Sequence, residues 1–252
     1  MCGICGCSEN TSHVMDHEHH PKHHTHHSHG EHLIEIEQNI LAKNNQFASY
    51  NQNYFLKNDI LALNLMSSPG SGKTTLLAKT ITDLNQVVDI AVIVGDQQTS
   101  YDADVIKSSG GHALQINTGK VCHLDAHMIS HAIEDFSLNN QSLLFIENVG
   151  NLVCPALFHL GEQYRVVILS VTEGENKPIK YPDMFHSADL LLITKADLLP
   201  HVNFDLDLCK EYVRRVNPSI DILTLSTVNG DGLNDWYDWL LNALKTNVQV
   251  VL

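Results

Sequence analysis

The stretch SSPGSGKTT, Ser67–Thr75, lies between the apolar run ILALNLM (60–66) and the segment LLAKT (76–80). The phosphate-loop rule is Gly, four residues, then Gly-Lys-Ser/Thr. Gly72, Lys73 and Thr74 satisfy it, and Ser67 stands where the rule has its first glycine. Gly70 and Gly72 allow the backbone to turn so that several N–H groups face one phosphate. Lys73 adds a point charge, Thr74 offers a hydroxyl to Mg²⁺, and Ser71 and Thr75 complete the cradle. A strand before the loop and a helix after it mark a nucleotide site at the head of an α/β sheet.

The rest of the chain fits that frame. Apolar runs resembling VVDIAVIVG (87–95) recur as HALQIN (112–117), SLLFIENV (142–149), YRVVILSV (164–171), DLLLIT (189–194) and DILTLS (221–226). Helix-length segments at 73–85, 122–136 and 203–216 lie between several of them. Strands apolar on both faces and alternating with helices predict a mostly parallel P-loop NTPase sheet covered on both sides. The connection into YRVVILSV lacks an obvious long helix, so its topology stays open.

The nucleotide is predicted from a later strand end. Thr194-Lys195-Ala196-Asp197 is close to the Asn-Lys-x-Asp signature of guanine-reading GTPases. The Asp197 carboxylate can accept from the ring N–H and exocyclic amine of guanine, a pair adenine lacks, with Lys195 along the base. Ser226 stands in a loop after the last strand, where GTPases place another base contact. Together they favour GTP/GDP over ATP. Asp96 and Glu147 close two strands on the phosphate-loop side and are candidates, with Lys73, for Mg²⁺ contact or for orienting the attacking water. Asp102 is a weaker candidate.

Two segments invite metal. MCGICGC holds Cys2, Cys5 and Cys7, followed by ten histidines between His13 and His32. The histidine run is broken by acidic, proline, lysine and hydroxyl residues, unlike a designed tag. Residues 1–32 are expected to be a flexible metal-binding tail, 33–58 a helix and the polar linker NQNYFLKND, and 59–252 the GTPase domain. Within that domain, GKVCHLDAHMISHAIEDF puts His123, His127 and His131 at i, i+4 steps, predicting one helical stripe. Cys122 is expected at the helix start, where the dipole favours a thiolate, and Cys154 follows Glu147 closely. Such a donor set suits Zn²⁺ or Ni²⁺. Cys209 is read as structural.

The 252 residues carry a formal charge of −14, which argues against nucleic acid as the main partner. No apolar run suits a membrane span and no secretory leader is evident, so a cytoplasmic protein with reduced thiols is expected.

Taken together, MCGICGC, NLMSSPGSGKTTLL, GDQQTSYDAD, GKVCHLDAHM, ENVGNLVCPA and TKADLLP resemble the HypB family, GTPases that help insert nickel into [NiFe]-hydrogenase. ENVGNLVCP argues against the related urease GTPase UreG. The resemblance implies a SIMIBI-class fold, a homodimer promoted by GTP, and a metal site near the dimer interface. It implies Cys122, His123 and Cys154 as ligands, with His127 and His131 as additional ones, and a tight nickel motif at Cys2, Cys5 and Cys7. The implied partners are the nickel metallochaperone HypA and the hydrogenase large-subunit precursor. A related GTPase serving urease or another metalloenzyme, and a nickel store with weak nucleotide coupling, are the rival readings.

Overall fold

A computed structural model describes residues 28–136 and 138–249. The cysteines and most histidines of the N-terminal tail, including Cys2, Cys5 and Cys7, lie outside the described residues. The chain divides into two compact units, Met1–Lys43 and Asn44–Leu252. Helix α1 is assigned over Ser28–Lys57, so Asn51–Lys57 of the expected linker is helix. Its Asn51 and Phe55 are fully buried, which a solvated linker would not allow. The sheet lies within the second unit.

Seven parallel strands run in the order β3-β2-β4-β1-β5-β6-β7. They are β1 (Leu61–Ser67), β2 (Ile90–Asp96), β3 (His112–Asn117), β4 (Leu143–Glu147), β5 (Tyr164–Ser170), β6 (Leu190–Thr194) and β7 (Asp221–Thr224). All seven expected runs therefore form strands of one sheet. Every residue of β1 and β4 is buried, as central strands covered on both faces require.

Alternation along β1 sorts the two faces. Leu61, Leu63 and Leu65 join Leu76, Leu77 and Ile81 of α2 (Lys73–Leu84) and Trp236 and Leu240 of α9 (Leu233–Gln249). On the opposite face, Ala62 packs with Phe55 of α1 and with Ile129 and Ile133 of α4 (Ala126–Asp135). Met66 meets Met184 and Phe185 of α7 (Pro182–His186) and Cys209 and Val213 of α8 (Leu206–Val216). Burial raises the Cys209 thiol pKa to about 12, in keeping with a structural role. Helix α3 (Tyr101–Ser108) follows β2.

The open connection resolves simply. Between β4 and β5 lies α5 (Cys154–Leu157), only four residues long, and β5 pairs with β1 on the side away from β4. Among the described residues no helix is long and apolar enough to cross a membrane.

Candidate nucleotide and metal sites

The sheet delivers three loops to one cleft of about 580 Å³, lined by Gly70–Thr75, Asp96, Asp102, Glu147, Asn148 and Lys195 among others. Gly70 and Gly72 take φ of 75° and 100°, left-handed values that side chains with a Cβ rarely adopt. Gly72 caps α2, so the first N–H groups of that helix open toward the cleft. Ser67, the residue in place of the first glycine, anchors the loop from within, since its hydroxyl accepts from Ser71 Oγ at 2.6 Å and from Lys73 Nζ at 2.6 Å. Burial lowers the Lys73 pKa, opposed by the nearby carboxylates of Glu147, Asp102 and Glu173.

Thr74 Oγ1 donates to Glu147 Oε1 at 2.7 Å, while the buried Oε2 of Glu147 has no hydrogen-bond partner. Burial pushes the Glu147 pKa up to about 7, against the pull of Lys73 and of the Thr74 hydroxyl. A hydroxyl beside an orphaned carboxylate oxygen fits a divalent cation. Asp96 differs. Burial raises its pKa, but hydrogen bonds from Thr99 Oγ1 and from the N–H groups of Gln97 and Gln98 outweigh that and hold it below the usual carboxylate range. The two carboxylates thus occupy opposite electrostatic settings. Asp102 sits in the first turn of α3 and lines the same cleft.

On the other flank, Lys195 Nζ donates to Gly70 O at 2.7 Å, from a backbone with φ 59°. Thr194 stands where the guanine signature has asparagine, and its Oγ1 donates to Ser71 O at 2.7 Å. Threonine therefore braces the phosphate loop against β6. Asp197 Oδ1 accepts from Ser226 Oγ at 2.5 Å, and Ser226 Oγ accepts from Val228 N–H at 3.1 Å. The predicted base-reading residues are brought together.

The second site lies at the ends of β3 and β4. Cys122 Sγ and Cys154 Sγ are 3.2 Å apart, and ligand atoms of Cys122, His123 and Cys154 all lie within 4.8 Å of one another. His123 is buried, stacks on Phe158 with ring centres 4.1 Å apart, and leaves its Nδ1 without a partner. Burial lowers the His123 pKa, opposed by Asp125, which favours the neutral imidazole a metal needs. An orphaned buried imidazole nitrogen beside two free thiols fits a soft or borderline cation.

The expected single stripe of His123, His127 and His131 does not form, because Asp125 caps α4, its carboxylate accepting from Met128 N–H at 2.8 Å. His123 falls before that cap. His127 and His131 follow it and pair with each other, Nε2 to Nε2 at 3.1 Å, with His127 edge-on to Phe47. Nor is Cys122 at the helix start. It lies in the preceding loop, and burial, with the hydrogen bond and charge of Cys154, raises its pKa.

Polar side chains with no expected role hold the ligand-bearing segments. Asn44 Oδ1 accepts from Ala126 N–H at 2.9 Å and its Nδ2 donates to His159 O at 2.8 Å. Seven residues on, Asn51 Nδ2 donates to Ala126 O at 2.9 Å and Leu160 O at 2.8 Å. Buried Asn148 donates to Asn64 Oδ1 at 3.2 Å, and Asn64 donates to Glu162 at 3.2 Å. Arg165 joins Glu162 (2.7 Å) to the Ala156 carbonyl (3.1 Å). The lone asparagine in ILALNLM is the one sequence signal of this network.

The family model described as CobW/HypB/UreG, nucleotide-binding domain, matches residues 61–224. Hydrogenase maturation factor HypB of Rhizobium leguminosarum bv. viciae is 56% identical over 210 residues, covering 83% of this chain and 70% of that protein. This chain belongs to the HypB family. The solved structures agree. HypB from Helicobacter pylori in complex with nickel is 40% identical with a TM-score of 0.77, covering 81% of this chain and 96% of that one. HypB from Archaeoglobus fulgidus is 40% identical with a TM-score of 0.76, covering 81% and 99%.

Proposed function

We propose that this HypB-family chain is a cytoplasmic GTPase that binds Ni²⁺ and helps deliver it to the [NiFe]-hydrogenase large-subunit precursor. The carrying observation is that Cys122 and His123 converge with Cys154, which lies on the segment that starts at Glu147 in the phosphate-loop cleft. The nickel named in the Helicobacter pylori structure supports the choice of metal. Two sulfurs 3.2 Å apart can both reach one ion at metal–sulfur bonds of ~2.3 Å. Nickel is cargo here, taken by deprotonated Cys122 and Cys154 and neutral His123. His127 and His131 form a neighbouring pair, and Cys2, Cys5 and Cys7 a separate tight motif.

In the cleft, the N–H groups of Gly70–Thr75 and the ammonium of Lys73 bind and orient the triphosphate, leaving chemistry largely to positioning. Thr74, Glu147 and Asp96 would hold Mg²⁺, directly or through water, and Mg²⁺ supplies charge neutralisation on the phosphate oxygens. Lys195, Asp197 and Ser226 read guanine.

Hydrolysis alters the contacts of the Glu147 segment and hence the spacing of Cys154 from Cys122 and His123, so nucleotide state sets metal affinity. The exposed apolar Val153 and Leu157 beside Cys154 support a GTP-promoted homodimer at that face. A metallochaperone of the HypA type supplies the ion.

The test is GTP turnover with and without Lys73→Ala, together with Ni²⁺ titration with GDP and with a non-hydrolysable GTP analogue. Turnover lost on Lys73→Ala, by at least ~100-fold, and nucleotide-dependent Ni²⁺ affinity are expected. Absence of turnover in the wild type would leave a metal store rather than a GTPase.

A further inference from the structure

Next to both sites stands a fully buried side chain, Leu124, directly after the ligand pair Cys122-His123. It touches the flanking residue of both cleft carboxylates. Its N–H donates to Asn148 Oδ1 at 3.0 Å, and Asn148 is the residue after Glu147. Its side chain is pressed onto Gly95, the residue before Asp96. A Cβ built on Gly95 would come within 2.7 Å of Leu124 Cγ and 2.8 Å of Cδ1, so only glycine leaves room for it there.

β2 and β4 are paired at Val94 and Glu147, so these two flanking residues lie side by side at the strand ends. Close-packed interiors transmit displacement because there is no free volume to absorb it. A shift of either carboxylate-bearing strand end must therefore move Leu124, which is joined by one peptide to His123.

We propose that Leu124 is the positioning residue through which the nucleotide cleft and the Cys122-His123-Cys154 site sense one another. This rests on the nucleotide-linked metal affinity proposed above and names the element that carries it. The chemistry is mechanical: the N–H follows Asn148, the isobutyl group follows Gly95, and the backbone carries both displacements to the imidazole and thiol. Asn148 is anchored in turn by Asn64 and Glu162, so the Glu147 side of the contact has a firm base.

Coupling is reciprocal, so it can be read from the nucleotide side in the full-length chain, where tail thiols and histidines also take up metal. The affinities of GDP and of a non-hydrolysable GTP analogue are each measured without and with saturating Ni²⁺. The quantity compared is the ratio of the two Ni²⁺ effects. Full-length Cys154→Ala supplies the background due to the tail.

A wild-type ratio of ~5–150-fold is expected. Leu124→Ala brings it to within about twofold of the Cys154→Ala background, with metal-free nucleotide affinity unchanged, and Leu124→Met restores most of it. A merely structural role would lower thermal stability but leave the ratio intact. Leu124→Ala retaining the wild-type ratio overturns the inference while the function above stands. Should that variant not fold, Leu124→Val, which withdraws one carbon from Gly95, decides: an unchanged ratio is again fatal and a reduced one supports. A wild-type ratio equal to the tail background removes the coupling reading itself, and this inference with it.

Discussion

Cys122 Sγ and Cys154 Sγ lie 3.2 Å apart across 32 positions of sequence. The first leaves β3 and the second follows β4, strands separated in the sheet by β2. Only loops folding back over the end of β2 bring the sulfurs together. Cys154→Ala is therefore expected to weaken Ni²⁺ and Zn²⁺ binding at this site by at least the ~10-fold that loss of an outer-shell partner already costs. Metal-free nucleotide affinity should be unaffected. Difference titrations of the full-length variant against the wild type measure both.

Glu147 gives a pH signature. Its pKa in the folded chain is about 7, above the ordinary 4.5, so the fold favours the protonated carboxyl. Its unfavourable contribution is absent below pH 4.5, grows as pH rises from there to about 7, and is complete above. Glu147→Gln should accordingly be more stable than the nucleotide-free wild type at pH 8, by ~1–3 kcal/mol, and equal to it near pH 4.5. Denaturant melts at several pH values check this, the difference between the proteins cancelling the titration of the histidines.

Helix α1 is predicted to matter to the metal through Asn51. Asn51→Ala leaves the buried carbonyls of Ala126 and Leu160 without this donor, at a cost of about 1–3 kcal/mol. It also loosens the start of α4 relative to the segment after Cys154. Urea unfolding should register the first effect. A weaker metal affinity, restored only in part by Asn51→Gln, whose amide donor sits one methylene further from the backbone, should register the second.

Close approach sets another expectation. Gly161 has φ 97°, and a Cβ there would lie 2.6 Å from Asn51 Cβ and 2.7 Å from the backbone oxygen of Ala48. Gly161→Ala combines backbone strain with overpacking and should cost ~2–4 kcal/mol. A fall of Tm in calorimetry is the measurement, and a neutral substitution would contradict the packing of α1 on this loop.

Base choice is testable by exchanging a carboxylate for an amide. Asp197 in its Ser226-held position would accept from the guanine ring N–H and amine. Xanthine carries a carbonyl in place of that amine and so calls for a donor. Asp197→Asn should reduce GTP affinity by at least ~10-fold while improving binding of xanthosine triphosphate, as unpaired buried polar groups dictate. Competition binding with the two triphosphates would reveal the switch.

Much of the molecule was decided by short-range information. The phosphate loop, the seven strands and the Thr194–Asp197 motif are read within windows of a few residues, because backbone turning and burial on both faces leave local patterns. The i, i+4 reading failed at His123 for an equally local reason: Asp125 caps the helix, and the spacing rule has force only inside it. Tertiary structure alone brought Cys122, His123 and Cys154 within 4.8 Å of one another, paired His127 with His131 instead, and made Thr194 a brace for the loop. It alone turned Asn44, Asn51 and Asn148 into buried struts and seated Leu124 between two strand ends. Polar residues on a helix look like a solvated face until a loop from elsewhere covers them, since their partners are backbone groups that carry no sequence signal.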